Sequence, residues 1–328
     1  MSAERQLSIW TALGLWAAAV AGAALYGAWH GYRGRAYAVT LCVVAFFLAI
    51  QLAPAAENLG ERIARRVGSH GGVLLATVPL LAYLIYLEGT NSFTWGRAAL
   101  AAAYTLAPVL LVISTGAAEP GAWQDYLAML AIFLPLKMHF LLRLWPLGGT
   151  TVGYVSTMLL AISVALATFL FVRQFSGVGY NIVWGRDVVF TVLLHFGLLA
   201  VIVIPLGTAL HFIRFDPAQA HWRSLPADAI SIFLLTAWPE ELLFRGLLQN
   251  SLARTFSSDN AGWFGASVVF GLAHITNNGV FPNWRYALLA TIAGIFYGRT
   301  WRKTNSIFAS GIVHALVDTI WHLLFRTL

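Results

Sequence analysis

Six stretches of this chain contain no aspartate, glutamate, lysine or arginine: Gln6 to Tyr32, Ala36 to Ala56, Val67 to Leu87, Ala98 to Ala118, Leu144 to Val172 and Val188 to Ile213. A helix needs roughly 20 apolar residues to cover a hydrocarbon layer of about 30 Å, and each stretch is long enough. In lipid every backbone polar group must be satisfied within the protein, which leaves helices and closed barrels. Barrel strands alternate in hydrophobicity over roughly ten residues. These stretches are continuously apolar, so the expectation is an all-α polytopic transmembrane helical bundle. Spans are predicted near 8–28, 37–55, 72–87, 97–114, 126–145, 153–172, 188–210, 229–252, 261–275, 286–300 and 306–325. Lys137 and Arg143 suit an interfacial position for the fifth, so eight to eleven crossings are expected.

Charged residues make up 10% of the chain, against about 25% in an ordinary soluble domain. The net charge of +7 does not indicate nucleic acid. Its arginines are scattered between apolar runs, as in "GYRGRAY" and "ERIARRVGSH", where basic loops set membrane topology. The single cysteine, Cys42, excludes an intrachain disulfide and a cysteine-based zinc cluster. "MSAERQLSIW" leads directly into a full-length span, so no removable signal peptide is expected. With no recognisable targeting tag, the expected location is a bacterial inner membrane. No internal repeat is evident.

The character of the chain changes after about residue 225. Residues 1–224 read as N-terminal transmembrane helices of unassigned role. Residues 225–328 differ, because most of their predicted helices carry polar groups at helical spacing. The stretch "TAWPEELLFRGLLQ" holds Glu240, Glu241 and Arg245 on an otherwise apolar helix. Ionisable residues at membrane depth cost several kcal/mol, so they face a bundle interior and find partners. Glu241 and Arg245 are one turn apart and can pair. Glu240 is rotated about 100° from Glu241. That arithmetic leaves one neutralised carboxylate and one spare, and a spare carboxylate suits a general base. Pro239 removes a backbone donor and frees a carbonyl one turn earlier.

Two further constellations follow. "VVFGLAHITNNG" places Phe270 and His274 one turn apart, and "GIVHALVDTIWH" does the same for His314 and Asp318. A histidine with an acid one turn away is an oriented imidazole, suited to proton transfer, oxyanion support or metal binding. Such sparse polar groups should converge, because each needs a partner away from lipid. A converged set of this kind can activate water.

Here the chain resembles a family. "EELLFR" fits the EExxxR motif of the CPBP intramembrane proteases, which include the type II CAAX prenyl endopeptidases. "FGLAH" fits the FxxxH motif and "HALVD" the HxxxN/D motif, in the family's order, over about residues 225–325. The resemblance implies an endopeptidase with its site inside the membrane, between the C-terminal helices, and makes residues 225–328 a catalytic helical core. Glu240 would activate water, Glu241 and Arg245 would hold the motif together, and His274 would position water or substrate. His314 and the residue at 318 would support the oxyanion. Where the family often has asparagine, this chain has Asp318. An ionised aspartate cannot donate a hydrogen bond, so Asp318 is expected to accept the His314 N–H and fix its tautomer.

A zinc ion held by Glu240, His274 and His314 is the alternative chemistry, but no HExxH is present and no cofactor is favoured. The expected partners are the lipid bilayer and a membrane-anchored protein or peptide substrate. A transporter would also carry intramembrane Glu, Arg and His, but with inverted repeats in both halves. A non-catalytic membrane binding protein would not need the complete set of motif residues.

Overall fold

The computed structural model describes residues 5–57, 59–116, 118–146 and 149–328. The chain divides into two compact units, one of Leu7–Ser176 and one of Met1–Gln6 with Gly177–Leu328.

In the Leu7–Ser176 unit the helices are α1 (Ile9–Trp29), α2 (Gly34–Ala55), α3 (Leu59–Gly89), α4 (Trp95–Ile113), α5 (Trp123–Lys137) and α6 (Gly149–Ala165). α3 breaks at Gly68, whose φ of 63° is open to glycine without penalty. α6 continues as a π turn over Leu166–Val172. Of the span Val152–Val172, 94% is buried, against 6% for Ile9–Trp29, so α6 is the unit's axis and α1 is mostly exposed. A buried ion pair braces this unit. Arg173 Nε donates to Asp125 Oδ1 at 2.8 Å, while Asp125 Oδ2 accepts the Gly121 and Ala122 N–H groups at the start of α5.

The other unit contains α7 (Arg186–Ala209), α9 (Asp259–Leu272), α10 (Trp284–Thr304) and α11 (Ile307–Leu324). Between α7 and α9, residues 225–255 form one unbroken helix, α8. It runs through Leu225–Ile232, Phe233–Ala237, Trp238–Glu241, Leu242–Gln249 and Asn250–Thr255, of which the second and fourth are π-helical. Side chains that accept orphan backbone N–H groups cap the starts of three helices: Ser258 caps α9, Asn283 caps α10 and Ser306 caps α11. Asn305 ends α10 in the left-handed conformation, with φ 46°. Two short antiparallel ribbons pair β1 (Arg5–Gln6) with β2 (Val183–Trp184) and β3 (Ile213–Phe215) with β4 (Phe325–Thr327).

The fold is therefore an all-α bundle, and every predicted span falls on a helix. The fifth is shorter than expected. It ends at Lys137, and a 3₁₀ turn follows at Phe140–Leu144. Seven helices among the described residues are long and apolar enough to cross a membrane.

α9 and α10 approach closely through glycine. A Cβ on Gly271 would meet Thr291 Oγ1 and the Ala287 carbonyl oxygen. Overpacking of this kind typically costs about 1–3 kcal/mol. Gly271→Ala is therefore expected to lower the melting midpoint in detergent. Gly14→Ala, where a Cβ meets nothing within 4 Å, should leave the midpoint in place.

Candidate active site

Pro239 has no N–H to offer and crowds the carbonyl one turn before it. α8 meets this by widening. Over Phe233–Ala237 it is π-helical, and the Trp238 N–H reaches back five residues to the Phe233 carbonyl. It tightens to α over Trp238–Glu241 and widens again over Leu242–Gln249. π turns inside α-helices occur frequently at functional sites. The two glutamates sit on the short α stretch between them.

They face different surroundings. Glu241 is fully buried. Its Oε2 accepts from Arg245 Nε at 3.0 Å, and its Oε1 stands 3.1 Å from His314 Nδ1. A carboxylate oxygen only accepts, so Nδ1 carries the proton of that bond. Ser310, one turn before His314 on α11, donates its hydroxyl to the Ile307 carbonyl at 3.0 Å. Arg245 is fully buried too, with its guanidinium carbon 4.9 Å from the Phe270 ring centroid and 5.8 Å from that of Tyr297. Ring faces attract a cation, which offsets part of its burial. Its two Nη atoms have no hydrogen-bond partner among the described residues.

Glu240 lies outside this arrangement. Its Oε2 is buried without a hydrogen bond among the described residues. The nearest cationic candidate is His314 Nε2 at 4.0 Å, too far for a hydrogen bond. Asp318 Oδ2 is 3.5 Å from the same nitrogen. One imidazole thus has Glu241 on its Nδ1 side, and Glu240 and Asp318 on its Nε2 side. The ring is held by Tyr297, stacked on it at 4.6 Å and 15°, and by Phe270, which stands nearly perpendicular to it at 5.7 Å.

A cavity of about 300 Å³ opens onto this cluster, lined by Glu240, His274, His314 and Asp318 among others. His274 Nδ1 is 2.8 Å from the Phe270 carbonyl, which directs Nε2 away from α9. Its ring packs on Phe270 and Tyr286 at 4.8 and 4.9 Å. The six residues expected at the site therefore gather as follows. Glu240, Glu241, Arg245, His314 and Asp318 form one connected group. His274 lines the same cavity and joins the group only through the Phe270 ring.

Residues 222–320 match the family model described as Rce1-like, type II CAAX prenyl endopeptidase. No curated protein and no solved structure matches the chain. The Rce1-like segment covers all three motifs and all six site residues, and it agrees with the resemblance to the CPBP proteases. The match supports intramembrane protease activity, with hydrolase chemistry and a membrane-associated protein substrate. With seven apolar helices, the chain is an integral multi-pass membrane protein.

Two features of the Rce1-like segment differ from the sequence reading. Asp318 was expected to fix the tautomer of His314, but Glu241 takes the Nδ1 proton and Asp318 stands at the opposite nitrogen. In addition, Tyr286, Tyr297 and Asn277 line the cavity without belonging to any motif. "ITNNGVFPNWRYA" reads as a loop and a helix start, and nothing in its spacing sets Asn277 or Tyr286 apart. Buried His195, bonded to Thr300 at 2.8 Å, is a further intramembrane histidine that reasoning from the motifs passed over.

The proposed zinc ligands do not form a donor set. Among the described residues no three His, Cys, Asp or Glu side chains are placed to hold one ion.

The pair carries a stability test. Arg245→Ala strands a buried carboxylate, a change that typically costs about 3–5 kcal/mol. Glu241→Gln combined with Arg245→Met removes both charges and keeps an oxygen for His314. The double variant is expected to melt above Arg245→Ala. A lower midpoint for the double variant would mean that the pair is not what holds this site.

Proposed function

We propose that this chain is an endopeptidase that hydrolyses a peptide bond of a membrane-anchored protein or peptide, with Glu240 as the general base. One observation carries the reading. Of two adjacent glutamates, Glu241 is consumed by Arg245 and His314, while Glu240 keeps at the cavity a buried oxygen with no hydrogen bond among the described residues. A positioned carboxylate of this kind takes a proton from water as the water attacks.

In the proposed cycle a water molecule at Glu240 attacks the scissile carbonyl carbon. A new C–O bond forms and the water proton passes to Glu240. As the C–N bond breaks, Glu240 returns that proton to the leaving nitrogen. Charge develops on the carbonyl oxygen, and donors aimed at that position are the usual source of stabilisation. His314 supplies one when its ring carries both protons. Nδ1–H is held by Glu241, and Nε2–H moves from Asp318 to the oxyanion. His274 positions water or substrate from the cavity wall. Residues 225–328 are proposed as the catalytic core and a bacterial inner membrane as its location.

The direct test is a comparison of membrane proteomes from cells carrying the wild-type chain and Glu240→Gln. A membrane protein should accumulate uncut in the variant. Near-normal cleavage of that protein by purified Glu240→Gln would end the assignment of the base.

Purified wild-type protein tests metal dependence. The proposed cycle predicts activity after exhaustive chelation and less than stoichiometric zinc by elemental analysis. Stoichiometric zinc whose removal stops turnover, and whose return restores it, would replace this mechanism. Asp318→Asn, which still reaches His314, should keep partial activity, whereas Asp318→Ala should lose most of it.

A further inference from the structure

Hydrolysis consumes one water molecule per bond, and the site lies among apolar helices. Much of the cavity wall is apolar, with Phe196, Leu199, Val203 and Leu289 in it. A bound substrate must occupy this cavity to reach Glu240, and in doing so it displaces water from the opening it came through. Water for the reaction then needs a second path.

A second pocket, of about 270 Å³, lies where α8 begins and α11 ends. His221, Asp228, Ser231, Thr319 and His322 line it, together with apolar residues of α8 and α11. Ile232 and His322 line both this pocket and the site cavity, so the two spaces abut at those side chains. Thr319 is 8% exposed, and its hydroxyl has no hydrogen-bond partner among the described residues.

Polar residues continue from one space into the other on both helices. Asp228 and Ser231 of α8 line the second pocket, and Thr236 and Glu240 line the site. On α11, His314, Asp318 and His322 recur every fourth residue and share a face. From Asp228 to Glu240 is twelve residues, or about 18 Å of helix, which takes the path from the end of α8 well into the bundle.

We propose that this second pocket is the inlet through which water reaches Glu240, with Ile232 and His322 at its inner boundary. The proposal rests on the hydrolytic reading of the site. It assigns His221, Asp228, Ser231 and Thr319 a role in hydration and none in bond breaking.

Single cysteines test it in a Cys42→Ala background, since Cys42 is the chain's one native cysteine. The probe is a membrane-impermeant trimethylammonium methanethiosulfonate, which reacts with thiols that water reaches. Ser231→Cys and Thr319→Cys are expected to react, and Val201→Cys, 74% exposed on the apolar α7, is the lipid-facing control. If both reporters are as inert as Val201→Cys, the inlet is refuted. Labelling needs no turnover, so it stands whether or not Glu240 is the base.

The second arm uses the membrane protein that accumulates uncut in Glu240→Gln cells. Labelling either reporter should lower its kcat severalfold and leave KM in place, because the label obstructs water and not substrate. Undiminished kcat after complete labelling, or a change confined to KM, would overturn the proposal. Ser231→Cys and Thr319→Cys stand on different helices, so failure of one variant to fold leaves the other to decide.

Discussion

The buried contact of Glu241 with Arg245 and His314 is the interaction on which the rest of the site depends. It joins α8 to α11 across 73 residues of sequence and places three ionisable groups where none is tolerated alone. A buried charge is retained when its partners are close and its remaining lone pairs are satisfied. Glu241 meets that condition with both oxygens occupied, and Arg245 adds the Phe270 and Tyr297 ring faces. The consequence falls on Glu240. With Arg245 Nε and one imidazole nitrogen already committed, Glu240 Oε2 has no hydrogen bond among the described residues, and the second glutamate borders the cavity. Of the adjacent glutamates, one therefore builds the site, and the other is left at the cavity, where the proposed function makes it the base.

Much of this was legible in the amino-acid sequence because lipid is a severe filter. Runs free of charge set the helices, since only a span can use them. The Glu241–Arg245 pair follows from four-residue spacing alone. Convergence of Glu240, Glu241, His314 and Asp318 follows from scarcity, because polar groups on apolar helices have few other partners. What stayed hidden depends on contacts between distant segments. The His314–Glu241 bond is one case, and the Asp125–Arg173 pair, 48 residues apart, is another. The π turns around Glu240 and Glu241 were also unread. Pro239 signals a disturbance but not which way the helix resolves it. The β1–β2 and β3–β4 ribbons are two or three residues long, too short for any alternation to register.

The same contact sets the orientation of the histidine. Because Glu241 takes Nδ1–H, Nε2 is turned toward Glu240 and Asp318, and these two carboxylates share one side of the ring. Tyr297 stacked on the ring and Phe270 nearly perpendicular to it leave it little freedom to rotate. Preorganisation of this type lets donors act without rearranging during the reaction. Asp318, at the position where related motifs often carry asparagine, belongs to the Nε2 side and acts on whatever that nitrogen does. The polar face of α11 that it shares with His322 runs from the site cavity to the second pocket.

The central claim is that adjacent, chemically identical side chains do unlike jobs. Thermal melting in detergent of Glu240→Gln against Glu241→Gln measures it most directly, since both variants make the same small change one residue apart. The account predicts that Glu241→Gln lowers the midpoint, because it weakens the bond to Arg245 in a buried site, and that Glu240→Gln melts as the wild-type chain does. A Glu240→Gln protein that melts as low as Glu241→Gln would show that Glu240 is a structural partner and not the free carboxylate.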